Sequence, residues 1–277
     1  MFKGLSVSVI IPTWNEAAGL AYTLRTIPSL VDEVLVVDAY SKDGTAEVAR
    51  QNGARVFTEV RRGYGRAFKT GFNAAKGDLL ISADGDGTYP LGVLPDLLDY
   101  MLQRDLLFCS CARFPLQDSG SMRRRNKVGN RGMTFVASLL WRHPFQDVLS
   151  GMWGMRREGW VQLDLISDSW NFSEEIKIRA YELFGPRFAE FHIRYAERLG
   201  ETKVAPFRVG FENLAWLGLM RAGVERQFKA LVRPKPKKFE TEGRELPPIE
   251  IRPHDEDPDD PDDDHGNGNG GKTPSIQ

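Results

Sequence analysis

Asp84 and Asp86, separated only by Gly85, are the residues in this chain of 277 amino acids whose type and spacing point most directly to chemistry. Two carboxylates two positions apart on a turn can face one divalent cation. Hard cations such as Mg²⁺ and Mn²⁺ take one or two protein carboxylates and complete their shell with substrate phosphates and water. The natural substrate of such a pair is a nucleoside-diphosphate compound. An Asp/Gly turn that merely ends a strand has the same composition, and its surroundings decide in favour of the ligand reading. Asp38 is a second candidate: its carboxylate ends an apolar run, Glu33 to Val37, and could accept hydrogen bonds from a base or ribose. Ser41 and Asp43 just beyond it can also satisfy backbone donors at a helix start.

These residues require elements to hold them. Ser6 to Ile11 is a β-branched run stopped by Pro12, followed by Asn15-Glu16 and a helical apolar pattern through Leu20, Leu24 and Ile27. The alternation repeats: a strand at 33–37, a helix at 44–51, a strand at 55–58, a helix opened by Gly63-Tyr64-Gly65, and a strand at 78–83. Such a pattern predicts an α/β fold, a mostly parallel sheet flanked by helices. Ligands of open α/β sheets bind outside the carboxyl ends of the strands. The segments 12–16, 38–41 and 84–88 all follow strand ends and converge there. A helix at 91–102, a strand at 106–111 and a basic stretch at 123–131 leading into an apolar helix complete the first part. A further α/β portion follows, closed by a basic amphipathic helix over 212–233.

Composition excludes several classes. With 41% hydrophobic and 27% charged residues the chain is ordinary globular material. From Pro234 onward 12 acidic residues stand against 6 basic ones, which leaves 1–233 with a net charge of +5 against −1 for the whole. The body is too weakly basic for a dedicated nucleic-acid protein, and residues 234–277 read as a disordered acidic tail. The domain reading is therefore a catalytic domain over 1–211, the 212–233 helix and that tail. Two cysteines, Cys109 and Cys111, exclude a disulfide framework, and four scattered histidines lack the spacing of a zinc site. Neither a GxGxxG turn after the first strand nor a Walker sequence is present, which disfavours a dinucleotide dehydrogenase. No signal-peptide pattern or run of about 20 apolar residues occurs, so a cytoplasmic location is expected.

At these positions the chain resembles the family 2 glycosyltransferases, and within them the polyprenyl-phosphate (dolichyl-phosphate) sugar transferases, over residues 5–210. Ile11-Pro12-Thr13-Trp14-Asn15-Glu16 is similar to the family's P-T-Y-N-E, Val37-Asp38 to the end of its V-V-D-D strand, and Asp84-Gly85-Asp86 to its D-A-D. The resemblance implies a glycosyltransferase A-type fold with Pro12, Trp14, Glu16, Val37 and Asp38 at the nucleotide. It places Asp84, Gly85 and Asp86 at the diphosphate, and Asp84, Asp86 and Thr88 at Mg²⁺ or Mn²⁺. Arg113 resembles the arginine of G-[ST]-R-[FY] beside the phosphates. Asn130 fits the basic S-x-x-x-N region, with Arg123, Arg125 and Arg131 nearby for an acceptor phosphate. Asp147 to Gly151 resembles D-L-T-S-G, Glu175 the acidic residue of F-x-x-E, and Arg198 to Lys203 the R-x-G-E-S-K whose Arg and Lys embrace the donor diphosphate. Ala39, Asn126 and Trp153 depart from the family's pattern.

The resemblance implies inverting transfer from a UDP- or GDP-linked sugar to a polyprenyl phosphate, with Asp86, Arg113, Arg125 and Glu175 as the catalytic set. A phosphate nucleophile is already ionised at pH 7, so no strong general base is needed. Two other readings stay open: the same donor chemistry with a soluble phosphorylated acceptor, and a non-catalytic nucleotide-sugar-binding subunit. Leu214, Leu217, Val224, Phe228 and Leu231 lie at near-helical spacing among basic residues, a pattern that can rest in a bilayer interface. Peripheral attachment at the cytoplasmic membrane face is the corresponding expectation, and packing on the domain is the other.

Overall fold

A computed structural model describes residues 1–61, 63–118, 120–200 and 206–232. The expected tail, 234–277, and Lys203 lie outside these residues. The elements alternate as anticipated: β1 (Val7–Thr13), α1 (Ala17–Arg25), β2 (Glu33–Asp38), α2 (Thr45–Gln51), β3 (Arg55–Thr58), α3 (Tyr64–Ala74) and β4 (Leu79–Ser82). Next come α4 (Leu94–Gln103), β5 (Phe108–Ala112), α5 (Arg124–Trp141), β6 (Trp153–Arg156) and the short α6 (Arg157–Trp160). The chain continues through α7 (Phe172–Phe184), β7 (Phe188–His192), α8 (Pro206–Ala222) and α9 (Glu225–Val232).

Seven strands form one sheet in the order β3-β2-β1-β4-β6-β5-β7. All neighbours are parallel except β6, which runs antiparallel to both β4 and β5. The central strands are buried on both faces, as parallel strands between helix layers must be. Along β1, Ile10 points into one core with Phe68, Phe72 and Trp153, while Val9 and Ile11 enter the other with Leu79 and Leu97. Each such side chain contributes about 1.5–3 kcal/mol when fully buried, and that anchoring fixes the register on which the site depends.

The register sets Pro12 opposite Val37 and Thr13 opposite Asp38. It also sets Ile10 opposite Ser82, with Ala83 N–H donating to Ile10 C=O at 3.1 Å. The ends of β1, β2 and β4 are thus brought level at one edge of the sheet.

The end of the described chain differs from expectation. The helix anticipated over 212–233 is two helices, α8 and α9, so the anticipated 211/212 boundary falls inside α8. Gly223 adopts φ +69°, a left-handed conformation that costs glycine least and terminates α8. Leu217, counted on the interfacial face, is fully buried with Trp216 and Met220 in the core shared with α5.

Candidate active site

Hydrogen bonds stitch the loops after β1 and β2 together. Asp38 is buried and accepts from Thr13 Oγ1 at 3.1 Å and from Ser41 N and Oγ at 3.0 and 2.5 Å. Asn15 N donates to Ser41 Oγ at 2.8 Å, and Asn15 Oδ1 accepts from Lys42 N at 2.7 Å. Asp43 accepts from Ala17 N at 3.0 Å and Thr45 N at 3.1 Å, so one carboxylate serves the starts of both α1 and α2. Pro12 and Val37 are buried in their strands, whereas the Trp14 side chain is exposed at the rim.

The third loop carries the acidic pair. Asp86 Oδ1 accepts from Thr88 N at 3.0 Å and from Thr88 Oγ1 at 2.6 Å. Its Oδ2 lies 3.0 Å from Arg198 Nη1. The same guanidinium donates from Nη2 to Glu16 Oε1 at 2.6 Å. The Arg198 segment is held over the loop by main-chain bonds, Leu199 N to Asp86 O and Ala196 N to Thr88 O, both 2.9 Å. Gly85 lies close enough to Glu16 that a Cβ there would stand 3.1 Å from Oε2. Glu16, Gly85, Asp86, Thr88 and Arg198 therefore form one constellation, although they come from opposite ends of the fold.

Asp84 lies beside it and accepts a hydrogen bond from Tyr64 Oη at 3.0 Å. Burial pushes its pKa up to about 7, and the neighbouring charges of Asp86 and Glu16 push in the same direction. Ionised Asp84 is unfavourable in this setting, and further positive charge at the pair would relieve it. No group of three or more His, Cys, Asp or Glu side chains among the described residues is arranged to hold a metal by itself. Two hard carboxylates with the rest of the shell left to substrate oxygens nevertheless suit Mg²⁺ or Mn²⁺.

Tyr64 was not singled out from sequence. It is the first residue of α3, stacked on Trp170 at 4.8 Å, and the Gly63-Tyr64-Gly65 turn was its one visible signal. Gly151, which precedes β6, approaches the same point: a Cβ there would stand 2.4 Å from Tyr64 Oη and 3.3 Å from both Asp84 oxygens. Its N–H donates to Tyr89 Oη at 2.6 Å and its carbonyl accepts from Ser82 Oγ at 2.8 Å.

The remaining sequence-predicted residues are placed differently. Arg113 is buried and forms a bidentate pair with Asp147, Nε to Oδ2 at 2.6 Å and Nη2 to Oδ1 at 2.9 Å. Burial alone would raise the Asp147 pKa, yet the adjacent guanidinium and its hydrogen bonds hold it below the usual value. In this arrangement the fork of Arg113 meets the Asp147 carboxylate of the fold. Lys177, fully buried, donates to Asp147 C=O at 2.9 Å. Glu175 accepts from Ile166 N at 2.9 Å and Ser167 N at 2.7 Å, which anchors the loop before α7. Arg123 and Arg125 are exposed at the start of α5 and Arg131 one face further along it; Asn130 Nδ2 lies 3.3 Å from Met122 Sδ.

Comparison with known proteins gives this geometry a context. Residues 8–160 match the profile of Glycosyl transferase family 2. A protein of Haloferax volcanii named dolichyl-phosphate hexose transferase is 33% identical over 207 residues, which cover 74% of this chain and 89% of the relative. An uncharacterized glycosyltransferase of Mycobacterium tuberculosis is 32% identical over 203 residues, 73% of this chain and 91% of the relative. Among solved structures, glucosyl-3-phosphoglycerate synthase from Mycobacterium tuberculosis, in complex with Mn²⁺, UDP and glucosyl-3-phosphoglycerate, superposes with a TM-score of 0.65. It is 22% identical, with 80% of this chain and 81% of that one covered, a likeness of fold.

Proposed function

Because this chain belongs to glycosyl transferase family 2 and is a glycosyltransferase, we propose that it moves a sugar from a UDP- or GDP-linked donor to a polyprenyl phosphate, with inversion. The observation that carries the reading is the acidic pair Asp84/Asp86 at the level ends of β1, β2 and β4, facing Arg198. The lipid acceptor is supported by the Haloferax relative, whose name states a dolichyl-phosphate substrate.

In this reading an oxygen of the acceptor phosphate attacks the anomeric carbon, the bond from that carbon to the diphosphate oxygen breaks, and nucleoside diphosphate leaves with the electron pair. Asp84 and Asp86, with the Thr88 hydroxyl beside them, would hold Mg²⁺ or Mn²⁺, which supplies charge neutralisation to the leaving diphosphate. Arg198 adds positive charge at the same place, and Lys203 belongs to the same proposed set. Trp14 offers an exposed ring to the base, with Pro12 and Val37 forming the wall behind it, and Asp38 holds Thr13 and Ser41 in place at the ribose side. Tyr64 fixes the orientation of Asp84. Arg125, exposed at the start of α5, meets the acceptor phosphate; a guanidinium can do so bidentately. Arg113 and Glu175 act through the frame, the one by locking Asp147 beside Gly151, the other by holding the 166–167 loop. Rate enhancement comes from positioning and electrostatics, since the nucleophile needs no deprotonation.

A second reading, transfer to a soluble phosphorylated acid, is favoured by the shared fold with a synthase crystallised with such a product. One assay separates them. Nucleoside diphosphate release is measured with Mg²⁺ or Mn²⁺ and a panel of UDP- and GDP-sugars, with polyprenyl phosphate or with 3-phosphoglycerate, beside Asp86→Ala. Release that requires polyprenyl phosphate and Asp86 is expected. Release with 3-phosphoglycerate alone moves the acceptor to the soluble class, and release unaffected in Asp86→Ala rejects the site.

A further inference from the structure

Two neighbouring helices expose what an interior would normally take. On α8, Phe207 and Phe211 are 85% and 75% exposed, and with the half-exposed Leu214 they recur at i, i+4 and i+7, one helix face. The opposite face of α8, with Leu217 and Met220, is buried. On α5, Arg124, Val128, Arg131, Phe135 and Leu139 follow one another at spacings of three and four, every one is exposed, and Arg142, the residue just past the helix end, is exposed too. Phe135 and Leu139 are each 68% exposed, while Met133 and Ala137 on the other side are buried. The helices pack on each other, and Arg221 Nε donates to Leu140 C=O at 2.9 Å.

We propose that the α5–α8 pair docks on an anionic phospholipid bilayer. Phe135, Leu139, Phe207 and Phe211 enter the acyl boundary, and Arg124, Arg131 and Arg142 extend to the lipid phosphates.

Charge selects this occupant. Residues 124–141 contain no acidic side chain, and the one acid of α8, Glu212, is paired with Arg208 at 3.0 Å. Aromatic and aliphatic side chains interleaved with arginines are the composition of a helix that lies in a lipid interface. Arginine stems can bury while their heads stay at the phosphates. A second copy of the chain fits less well. A two-fold interface would set this stripe against itself, and arginine facing arginine in a desolvated contact is a repulsive arrangement. No helix among the described residues is long and apolar enough to cross a membrane, so the contact is interfacial. The surface is also not the one anticipated from sequence, since Leu217 of that stripe is committed to the core. Docking here would bring the α5 N-terminus, with Arg125, to the depth of lipid phosphate. In that purpose, though not in the binding itself, the proposal rests on the lipid-acceptor reading.

The test is sedimentation of the full chain, without donor, with vesicles of phosphatidylcholine alone or mixed in equal parts with phosphatidylglycerol. The expected result is binding to the mixed vesicles that weakens as salt rises. The pairs Phe207→Ser/Phe211→Ser and Phe135→Ser/Leu139→Ser each lower it by about tenfold or more. Val161→Ser, an exposed apolar residue elsewhere, binds as the wild type does. Melting temperatures of the variants should match the wild type, because no core contact is removed. Absence of wild-type binding, or undiminished binding in both pairs, overturns the proposal. So does a concentration-dependent dimer that these pairs abolish in a protein that ignores vesicles. Transfer to a short, water-soluble polyprenyl phosphate is assayed in parallel. Transfer without vesicle binding overturns the docking alone, and vesicle binding without transfer to any lipid phosphate overturns the acceptor reading alone.

Discussion

Arg198 Nη1 stands 3.0 Å from Asp86 Oδ2, so a loop late in the chain closes on the acidic turn that follows β4. The same guanidinium reaches back 182 positions to Glu16. A lysine ends in a single ammonium and lacks the planar fork whose two nitrogens meet Asp86 and Glu16 separately. Arg198→Lys should therefore lower kcat/KM by ~10- to 100-fold, the range expected from losing one hydrogen bond between charged groups. Steady-state kinetics beside donor titrations would check it, and an unchanged kcat/KM would remove Arg198 from the site.

Asp84 supplies a prediction with a definite sign. Its carboxyl has an ordinary value of 3.8 and is raised to about 7 in the fold. Between those values the native state binds more protons than the unfolded chain, so this group's contribution to stability falls as pH rises from about 4 to about 7. In the presence of a chelator, Asp84→Asn should melt above the wild type at pH 7.5, by roughly 3 °C or more. The difference should close by pH 4. Adding Mn²⁺ should stabilise the wild type and leave the variant unmoved. A melting difference independent of pH would mean that Asp84 is not the buried, repelled carboxylate described above.

Gly151→Ala should uncouple activity from stability. Its methyl group would meet Tyr64 Oη at 2.4 Å and both Asp84 oxygens at 3.3 Å, and the Tyr64–Asp84 hydrogen bond must give way. We expect at least a tenfold loss of turnover, about 1.4 kcal/mol in the barrier, with cooperative melting retained. Turnover equal to the wild type would show that the orientation Tyr64 imposes on Asp84 is not needed.

The Arg113–Asp147 pair should behave as frame rather than as reagent. Asp147→Ala leaves a buried guanidinium without its partner and should cost about 3–5 kcal/mol, read as a lowered midpoint in urea. Arg113→Met/Asp147→Leu together should recover part of that stability, because the guanidinium no longer stands buried without its partner, while buried Lys177 still loses the Asp147 charge beside it. A single variant of normal stability that has lost only acceptor affinity would instead return Arg113 to direct phosphate contact.

Much of this organisation could be read from local pattern. Asp84-Gly85-Asp86 follows an apolar strand, and strand and helix periods repeat cleanly through the first half of the chain, so the sheet edge and its acidic pair were visible. What was not visible depends on distance along the chain. Nothing near Arg198 signals Glu16, and nothing near Arg113 announces that its fork belongs to Asp147. Tyr64 looked like part of a glycine turn because its partner, Asp84, lies one strand away. The four residues of β6 carry no mark of direction, and an antiparallel strand of that length reads like a parallel one. Near-helical spacing ran unbroken across Gly223, since one glycine inside a helical pattern is tolerated, and only its positive φ exposes the break.

The wedge position of β6 has a consequence for biogenesis. β4 and β5 do not touch; Trp153–Arg156 must slip between them, pairing Leu80 with Met155 on one side and Cys109 with Gly154 on the other. As the chain leaves the ribosome, β1 to β4 can assemble early, with Asp38 and Asp84 already in place. They then expose the open edge of β4 until residue 156 has emerged. Such an edge is a template for wrong partners, and its closure is a long-range event of the kind that slows folding. A chain interrupted between Thr88 and Trp153 would thus hold every acidic residue of its site, without Arg198, on an unfinished, adhesive sheet.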